Sequence, residues 1–119
     1  MAKGSNALKD RLSRSREINI IVTGRKSGRT ISNPVWFVLD GDKVYLLPVK
    51  GSDTQWYKNM VKRPSIGIDA RGEEADLQAA PITDPAQVAS VVDKFHAKYG
   101  ADVKKYYSKF DVAGVAEIG

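Results

Sequence analysis

The chain has 119 residues, a length that suits one small domain with a single core. Apolar residues make up 42% and charged residues 28%, an ordinary globular balance, and the absence of cysteine excludes disulfides and thiolate chemistry. The net charge of +5 favours an anionic partner without choosing among nucleic acid, anionic lipid and an anionic cofactor. Because no apolar run reaches the length of a signal peptide or membrane span, we expect a cytoplasmic protein, with a membrane-peripheral location as the variant.

The N-terminal residues 1–16 are polar and basic, and only Leu8 and Leu12 share a helical face there. This pattern predicts a frayed tail or a short helix laid on the rest of the fold. After it the hydrophobic period changes to two, since apolar and polar residues alternate over 18–23. That period predicts a half-buried strand.

The turn that follows, residues 24–29, is the most informative segment of the chain. Its two glycines allow positive φ, but a tight turn does not need the three cations that it also carries. Like charges at this spacing repel one another unless an anion neutralises them. The segment therefore predicts a binding site for phosphate or carboxylate groups, while a solvated, charged hairpin turn is the alternative. The residues of this predicted site are Arg25, Lys26, Ser27 and Gly28.

Further strands are predicted along the chain. Residues 31–39 indicate a second strand, central in its later apolar part, with pairing that breaks or reaches an edge at Pro34. Residues 40–42, Asp-Gly-Asp, predict a hairpin turn into a third strand over 44–49. Alternation and apolar runs predict three more strands, over 66–70, 75–79 and 112–118.

Helices are indicated by their capping signals. Ser52 followed by Gln55 predicts a capping box and a short helix after it. Asp84-Pro85 predicts the start of a longer helix that ends at Gly100, and residues 102–110 favour another short one. Together with the strands, two or three helices predict an α+β fold, a small antiparallel split β-barrel forming one domain over residues 1–119.

Lys50 and Gly51 form a second candidate anion site, because they precede a predicted helix N-terminus with its partial positive charge. An ordinary connection with a nearby lysine is the alternative. Two anion sites flanking one hairpin suggest a long ligand with more than one anionic group. Between them, residues 33–36 and the aromatic residues of the short helix could hold a flat ring system. Trp36 and Trp56 taken singly are more simply explained as core residues.

The chain lacks an obvious catalytic set of its own. His96 is the only histidine, and no cysteine or second histidine can share a metal ion with it, so we expect no metal site. No serine nucleophile motif stands beside it either. If the protein is an enzyme, a cofactor supplies the chemistry.

Several short segments, taken in order, resemble the deazaflavin-dependent nitroreductase family, which includes F420H2-dependent quinone reductases of the flavin/deazaflavin split-barrel superfamily. The matching segments, within roughly residues 18–82, are 24–29, Asn33-Pro34, 40–42, Lys50-Gly51 and 56–60 with Pro64. The resemblance implies a split β-barrel that binds coenzyme F420, a deazaflavin with a phosphate and a polyglutamate tail. It also implies hydride transfer from the reduced coenzyme to a small electron-poor acceptor such as a quinone, an enone or a nitroaromatic.

The resemblance also implies roles for individual residues, matched by position. The tail and phosphate would be bound by Arg25, Lys26, Ser27 and Gly28, and the ring would be contacted by Asn33, Pro34 and Val35. The phosphate and ribityl region would be contacted by Lys50 and Gly51. The pocket would be shaped by Trp56 and Asn59, and the acceptor site would be lined by Tyr106 and Tyr107. No catalytic residue is assigned.

Two other functions compete with this one. An FMN-binding split-barrel oxidoreductase would need fewer cations, because FMN carries a phosphate but no polyglutamate tail. A small basic barrel that binds single-stranded nucleic acid is the non-enzymatic alternative, disfavoured because the cations cluster at one turn. A homodimer is compatible with the resemblance, since related FMN barrels pair and place the cofactor at their interface.

Overall fold

The computed structural model describes residues 2–118. The described chain forms four α-helices, a 3-10 turn and seven β-strands. In chain order they are α1 (Ala2–Ser13), β1 (Ile18–Thr23), β2 (Thr30–Val35), β3 (Phe37–Asp40), β4 (Lys43–Leu46), the 3-10 turn (Gly51–Asp53), α2 (Gln55–Lys62), β5 (Ser65–Ala70), β6 (Glu73–Ile82), α3 (Pro85–Tyr99), α4 (Asp102–Tyr106) and β7 (Ala113–Glu117).

The strands pair into one antiparallel sheet with the order β2-β1-β5-β6-β7-β4-β3. β2 and β3 lie at opposite edges of this sheet, yet only Trp36 separates them in the chain. Because one residue connects the two edges, the sheet has to curl into a half-barrel. The curled sheet confirms the predicted α+β split-barrel class. The described chain has four α-helices, where two or three were predicted.

The prediction of one continuous strand over 31–39 is wrong. The segment divides at Trp36, because its first part pairs with β1 and its second part pairs with β4. Pro34 lies in the edge strand β2 opposite Asn19, where its missing N–H deprives no neighbouring strand of a donor. The predicted arrival at an edge is therefore confirmed. The third strand, expected over 44–49, ends earlier, at Leu46.

The N-terminal segment is a helix that packs on the sheet, so the frayed tail is excluded. Leu8 and Leu12, the two residues expected to share a face, are both buried, at 3% and 1% exposure. They join a core that contains Ile20 and Ile68, while a second apolar cluster lies under α3. No helix within residues 2–118 has both the length and the apolar character required to cross a bilayer.

The capping box predicted at Ser52 is wrong. Ser52 belongs to the 3-10 turn, and α2 begins only at Gln55, after Thr54. The physical reason is a better partner, because the Ser52 hydroxyl donates to Asp111 Oδ2 at 2.6 Å. Thr54 does not cap the helix either, since its hydroxyl accepts from the Lys50 N–H at 2.8 Å.

The longer helix begins and ends as predicted. The Asp84 carboxylate accepts a hydrogen bond from the Gln87 N–H at 3.1 Å, and Pro85 occupies the first turn. Gly100 ends the helix with a φ of +66°. The following helix, expected over 102–110, is shorter and ends at Tyr106.

Candidate functional site

A cavity of about 460 Å³ lies between β2, the start of α2 and the end of α4. We call it the aromatic cavity. Its lining is Glu17, Asn33, Pro34, Val35, Trp36, Leu47, Val49, Thr54, Gln55, Trp56, Tyr106 and Tyr107. The volume and the largely apolar lining with a few polar groups are typical of a site for a small organic ligand.

Stacked rings build one side of this cavity. The rings of Trp36 and Tyr99 lie parallel, with centroids 4.3 Å apart and planes 10° from each other. Tyr106 meets Trp36 edge-on at 5.7 Å, and Tyr107 lies 6.0 Å from it at a tilt. Such contacts hold the rings in fixed positions. The cavity therefore presents a rigid aromatic surface.

Two tyrosines at this side of the cavity, Tyr99 and Tyr107, keep their protons at neutral pH. Burial raises the pKa of Tyr99 to about 12 and also raises the pKa of Tyr107. The Tyr99 hydroxyl is occupied, because it accepts from the Phe37 N–H at 3.1 Å and has the Phe37 and Arg16 carbonyl oxygens as acceptors. The Tyr107 hydroxyl has no hydrogen-bond partner among residues 2–118. Tyr107 is thus a donor available to a ligand.

The turn 24–29, which we call the basic turn, lies next to the aromatic cavity. It closes through hydrogen bonds from the Gly24 N–H to Arg29 O (2.7 Å) and from the Gly28 N–H to Gly24 O (2.9 Å). A second cavity of about 350 Å³ adjoins it, lined by Gly24, Arg25, Lys26, Ser27, Ile31, Gln55 and Asn59. Because Gln55 lines both cavities, the two are neighbours on either side of this residue.

Arg25 ties the basic turn to α2. Its guanidinium donates to Asn59 Oδ1 at 2.8 Å and to Gln55 Oε1 at 3.0 Å, and its backbone N–H donates to the same Asn59 oxygen at 3.1 Å. Asn59 is 4% exposed, so this oxygen is already committed within the protein. Neutral amide oxygens hold the Arg25 cation in position without neutralising its charge.

The rest of the basic turn is open to an anion. Within residues 2–118, no carboxylate lies within 4.0 Å of the Lys26 or Arg29 cation. The backbone N–H groups of Lys26 and Ser27 likewise find no acceptor in the described chain. The Ser27 hydroxyl accepts from the Arg29 N–H at 3.2 Å, which stabilises the turn. Unpaired cations and N–H groups within one turn are typical of an anion-binding concavity.

Lys50 and Gly51 line neither of these two cavities. Gly51 is buried with a φ of +56°, and a Cβ there would lie 2.0 Å from Asp111 Oδ1. Asp111 accepts hydrogen bonds from both the N–H (3.0 Å) and the hydroxyl of Ser52. Gly51 therefore allows the close approach of the segment 107–111, whose Tyr107 lines the aromatic cavity. Lys50 is exposed on the outside of this contact.

The structure thus brings six of the predicted residues together in the aromatic cavity, namely Asn33, Pro34, Val35, Trp56, Tyr106 and Tyr107. It brings four others, Arg25, Lys26, Ser27 and Asn59, together at the basic turn. Glu17 and Gln55 were missed. Gln55 could have been found, because it stands one helical turn before Asn59; for Glu17, the last residue before a strand, the sequence carries no functional signal.

Metal ligation finds no support in the described chain, where no group of three His, Cys, Asp or Glu side chains is placed to hold an ion. His96 lies on α3, with its Nδ1 3.3 Å from Gly100 O. It does not line the aromatic cavity.

Comparison with solved structures confirms the fold. An F420-H2 dependent reductase (FDR-A) superposes with a TM-score of 0.67 at 18% identity, over 86% of this chain and 94% of that one. A chain described as a domain-swapped dimer gives a TM-score of 0.69 at 16% identity, over 95% and 98% of the two chains. HutZ, a heme storage protein from Vibrio cholerae, gives 0.72 at 12% identity, over 96% and 89%. At these identities the likeness shows a common fold.

The sequence also matches a family model over residues 9–116, which is most of the chain. That model is described as "Uncharacterized protein conserved in bacteria (DUF2255)". The protein is therefore a member of the DUF2255 family with the split-barrel fold that F420-dependent reductases also have.

Proposed function

We propose that this protein is an oxidoreductase that binds coenzyme F420 and reduces a small electron-poor acceptor such as a quinone, an enone or a nitroaromatic. The observation that supports it most strongly is the adjacency of a rigid aromatic cavity and a basic turn without carboxylate partners, both lined by Gln55. Bound in its reduced form, F420 would supply a hydride from C5. The fold shared with an F420-H2 dependent reductase agrees with this proposal.

The donor set suits the two ends of this cofactor. Lys26, Arg29 and the N–H groups of Lys26 and Ser27 would hold the phosphate and the polyglutamate tail, with Gly28 at positive φ closing the turn. Arg25 would add its charge while Gln55 and Asn59 hold it in place. Lys50 would contribute a more distant charge, and Gly51 would act through the loop that it allows to pack.

The ring system would lie in the aromatic cavity along Asn33, Pro34 and Val35. β2 is an edge strand, so part of its backbone N–H and C=O groups have no strand partner and are available to the polar edge of a ring. Trp56, which is 6% exposed, would close the cavity from α2. A flat acceptor would then lie against the cofactor ring, beside Trp36 and Tyr106.

Tyr107 would hold a proton for the acceptor. Its pKa is raised by burial, and its hydroxyl donates to no described residue, so it can donate to an oxygen of the acceptor that gains negative charge. The exposed Tyr106 would shield this oxygen from part of the solvent.

Heme, which one relative of the same fold stores, fits this chain less well. The only histidine, His96, does not line the aromatic cavity, so no imidazole is available there as an axial ligand. FMN would fit the cavity but would leave most of the basic turn without a partner. Binding of nucleic acid is disfavoured because the ring of Trp36 is stacked on Tyr99.

Fluorescence titration tests the proposal directly. The purified protein is titrated with F420, with the corresponding deazaflavin that lacks the phosphate and tail, and with FMN. We expect F420 to bind more tightly than both other ligands. Binding of none of the three would overturn the proposal, and a preference for FMN would replace the cofactor while keeping the cavity.

Substitution of the basic turn makes the test specific. Lys26→Ala should weaken F420 binding about tenfold, the effect of one charge-assisted hydrogen bond, and leave the tail-free deazaflavin unaffected. Lys62→Ala is the matched control, since it removes the same charge from an exposed position outside both cavities. Equal losses in the two variants would mean that only the net charge matters. Lys50→Ala should give a smaller loss than Lys26→Ala.

A further inference from the structure

A third cavity, of about 480 Å³, lies between α1, β3 and α3. It shares no lining residue with the aromatic cavity or with the cavity at the basic turn. We call it the α1–α3 cavity, and its lining is Leu12, Ser13, Val38, Leu39, Asp40, Lys94, Ala97 and Lys98. Half of this lining is apolar, and the volume falls in the range of about 300–1,000 Å³ that small-molecule sites occupy.

The two lysines of the α1–α3 cavity differ in their partners. Lys94 Nζ forms an ion pair with Asp40 at 3.2 Å. Lys98 Nζ donates to Phe37 O at 2.9 Å and lies 3.6 Å from the centre of the Phe37 ring, but no carboxylate of residues 2–118 lies within 4.0 Å of it. One half-buried cation therefore remains without a neutralising partner beside an apolar cavity.

The surroundings make this cation unfavourable. Burial, and then the charge of Arg16, lower the pKa of Lys98 to about 8. Arg16 has its own partner, Asp102, at 3.4 Å, and the Tyr99 hydroxyl nearby stays protonated. Neither supplies a negative charge to Lys98. A bound anion would do so, and it would offset both the loss of water and the repulsion from Arg16.

We propose that the α1–α3 cavity binds an amphipathic monocarboxylate, with its carboxylate on Lys98 and its apolar body against Leu39, Val38 and Ala97. One negative charge is the expected number, because Lys94 is already paired with Asp40. The Ser13 hydroxyl donates to Asp10 O at 2.7 Å and so adds no further donor for a dianion. This site is independent of the proposed F420 site, with which it shares no residue.

Octanoate and 1-octanol, which differ in their head group, test the proposal by isothermal titration calorimetry. Octanoate should bind at least tenfold more tightly than octanol, because only the anion interacts with Lys98. Lys98→Met, which keeps most of the apolar stem, should abolish this preference, whereas Lys104→Met, an exposed control, should retain it. Equal affinities of the two ligands, or an unchanged preference in Lys98→Met, would overturn the proposal.

A measurement on the unmodified protein keeps the test valid if Lys98→Met does not fold. The side-chain resonances of Lys98, followed by NMR against pH, should show a higher pKa with octanoate bound and no change with octanol. An unchanged titration under saturating octanoate would also overturn the proposal. F420 titrations of the same samples should be unaffected by octanoate, so a failure of either site is recognised separately.

Discussion

At Gly51 two separate demands on the backbone coincide. Its φ is +56°, and a Cβ would meet Asp111 Oδ1 at 2.0 Å and Lys109 Cγ at 2.9 Å. Gly41 has a similar φ of +62°, but a Cβ there would meet nothing within 4 Å. The pair of glycines therefore separates the cost of positive φ from the cost of a steric clash.

We predict that Gly41→Ala lowers the free energy of unfolding by about 1 kcal/mol, the cost of a left-handed conformation for a residue with a Cβ. Gly51→Ala should cost roughly 3 kcal/mol, because it must also displace Asp111. Urea unfolding of both variants measures the difference. Equal losses would show that the segment 107–111 moves aside freely.

Asn59 offers a second residue-scale test, because it acts through Arg25. Asn59→Ala leaves the partly buried Arg25 donors without their Asn59 acceptor and should cost about 2 kcal/mol of stability. Asn59→Asp should keep the acceptor and most of the stability, but it would add a negative charge beside Arg25. If the proposed function is correct, Asn59→Asp therefore weakens F420 binding severalfold, whereas retained affinity in this variant would contradict a role of the turn in anion binding.

At the scale of elements, the 3-10 turn Gly51–Asp53 holds the segment 107–111. Asp111 accepts two hydrogen bonds from Ser52, and Lys109 Nζ lies 3.3 Å from Asp53 and 3.6 Å from Asp111. The hydrogen bond from Ser52 is the main reason why the pKa of Asp111 is lowered. This contact fixes the position of Tyr107 at the aromatic cavity.

Asp111→Ala should therefore loosen the segment without unfolding the sheet. We expect faster amide hydrogen exchange over residues 106–111 and unchanged exchange in β5 and α3. Asp53→Ala, which removes one exposed ion-pair partner, should have little effect on exchange. The same rate in both variants would mean that packing, and not the Ser52 contact, holds the segment.

The elements that the sequence predicted well are those whose signals are local. The alternation over 18–23, the cap at Asp84 and the stop at Gly100 depend on neighbouring residues, and all three agree with the structure. The division at Trp36 could not be predicted, because it depends on which strands pair with each side. The error at Ser52 has the same cause, since its partner, Asp111, lies 59 residues away along the chain.

The site follows the same rule. Residues of one short motif, such as Asn33, Pro34 and Val35, were predicted as a group, and all three line the aromatic cavity. Glu17, just before β1, and Gln55, at the start of α2, are far apart in the chain, and only the topology brings both to the aromatic cavity. The sequence also did not indicate that Gly51 packs against Asp111, or that Gly51 lies outside the lining of both cavities.

At the scale of the whole molecule, burial shifts the pKa values of lysine and tyrosine in opposite directions along the pH axis. The pKa of Lys98 falls from 10.5 to about 8, while the pKa of Tyr99 rises from 10.0 to about 12. Between pH 8 and 10 the unfolded chain holds more protons at Lys98 than the folded one, so stability rises with pH. Above about pH 10 the unfolded chain loses tyrosine protons first, and stability falls again.

We therefore expect these groups to give a maximum of stability at about pH 10, and the rise below it should depend on Lys98. Lys98→Met removes the group that releases its proton early in the folded state, so the rise between about pH 8 and pH 10 should flatten, while the fall above it persists. Lys104→Met, which removes an exposed lysine, should leave the rise intact. Urea midpoints measured across this range decide the matter: a rise of equal slope in Lys98→Met would show that the cost of burying the cation is carried by another group.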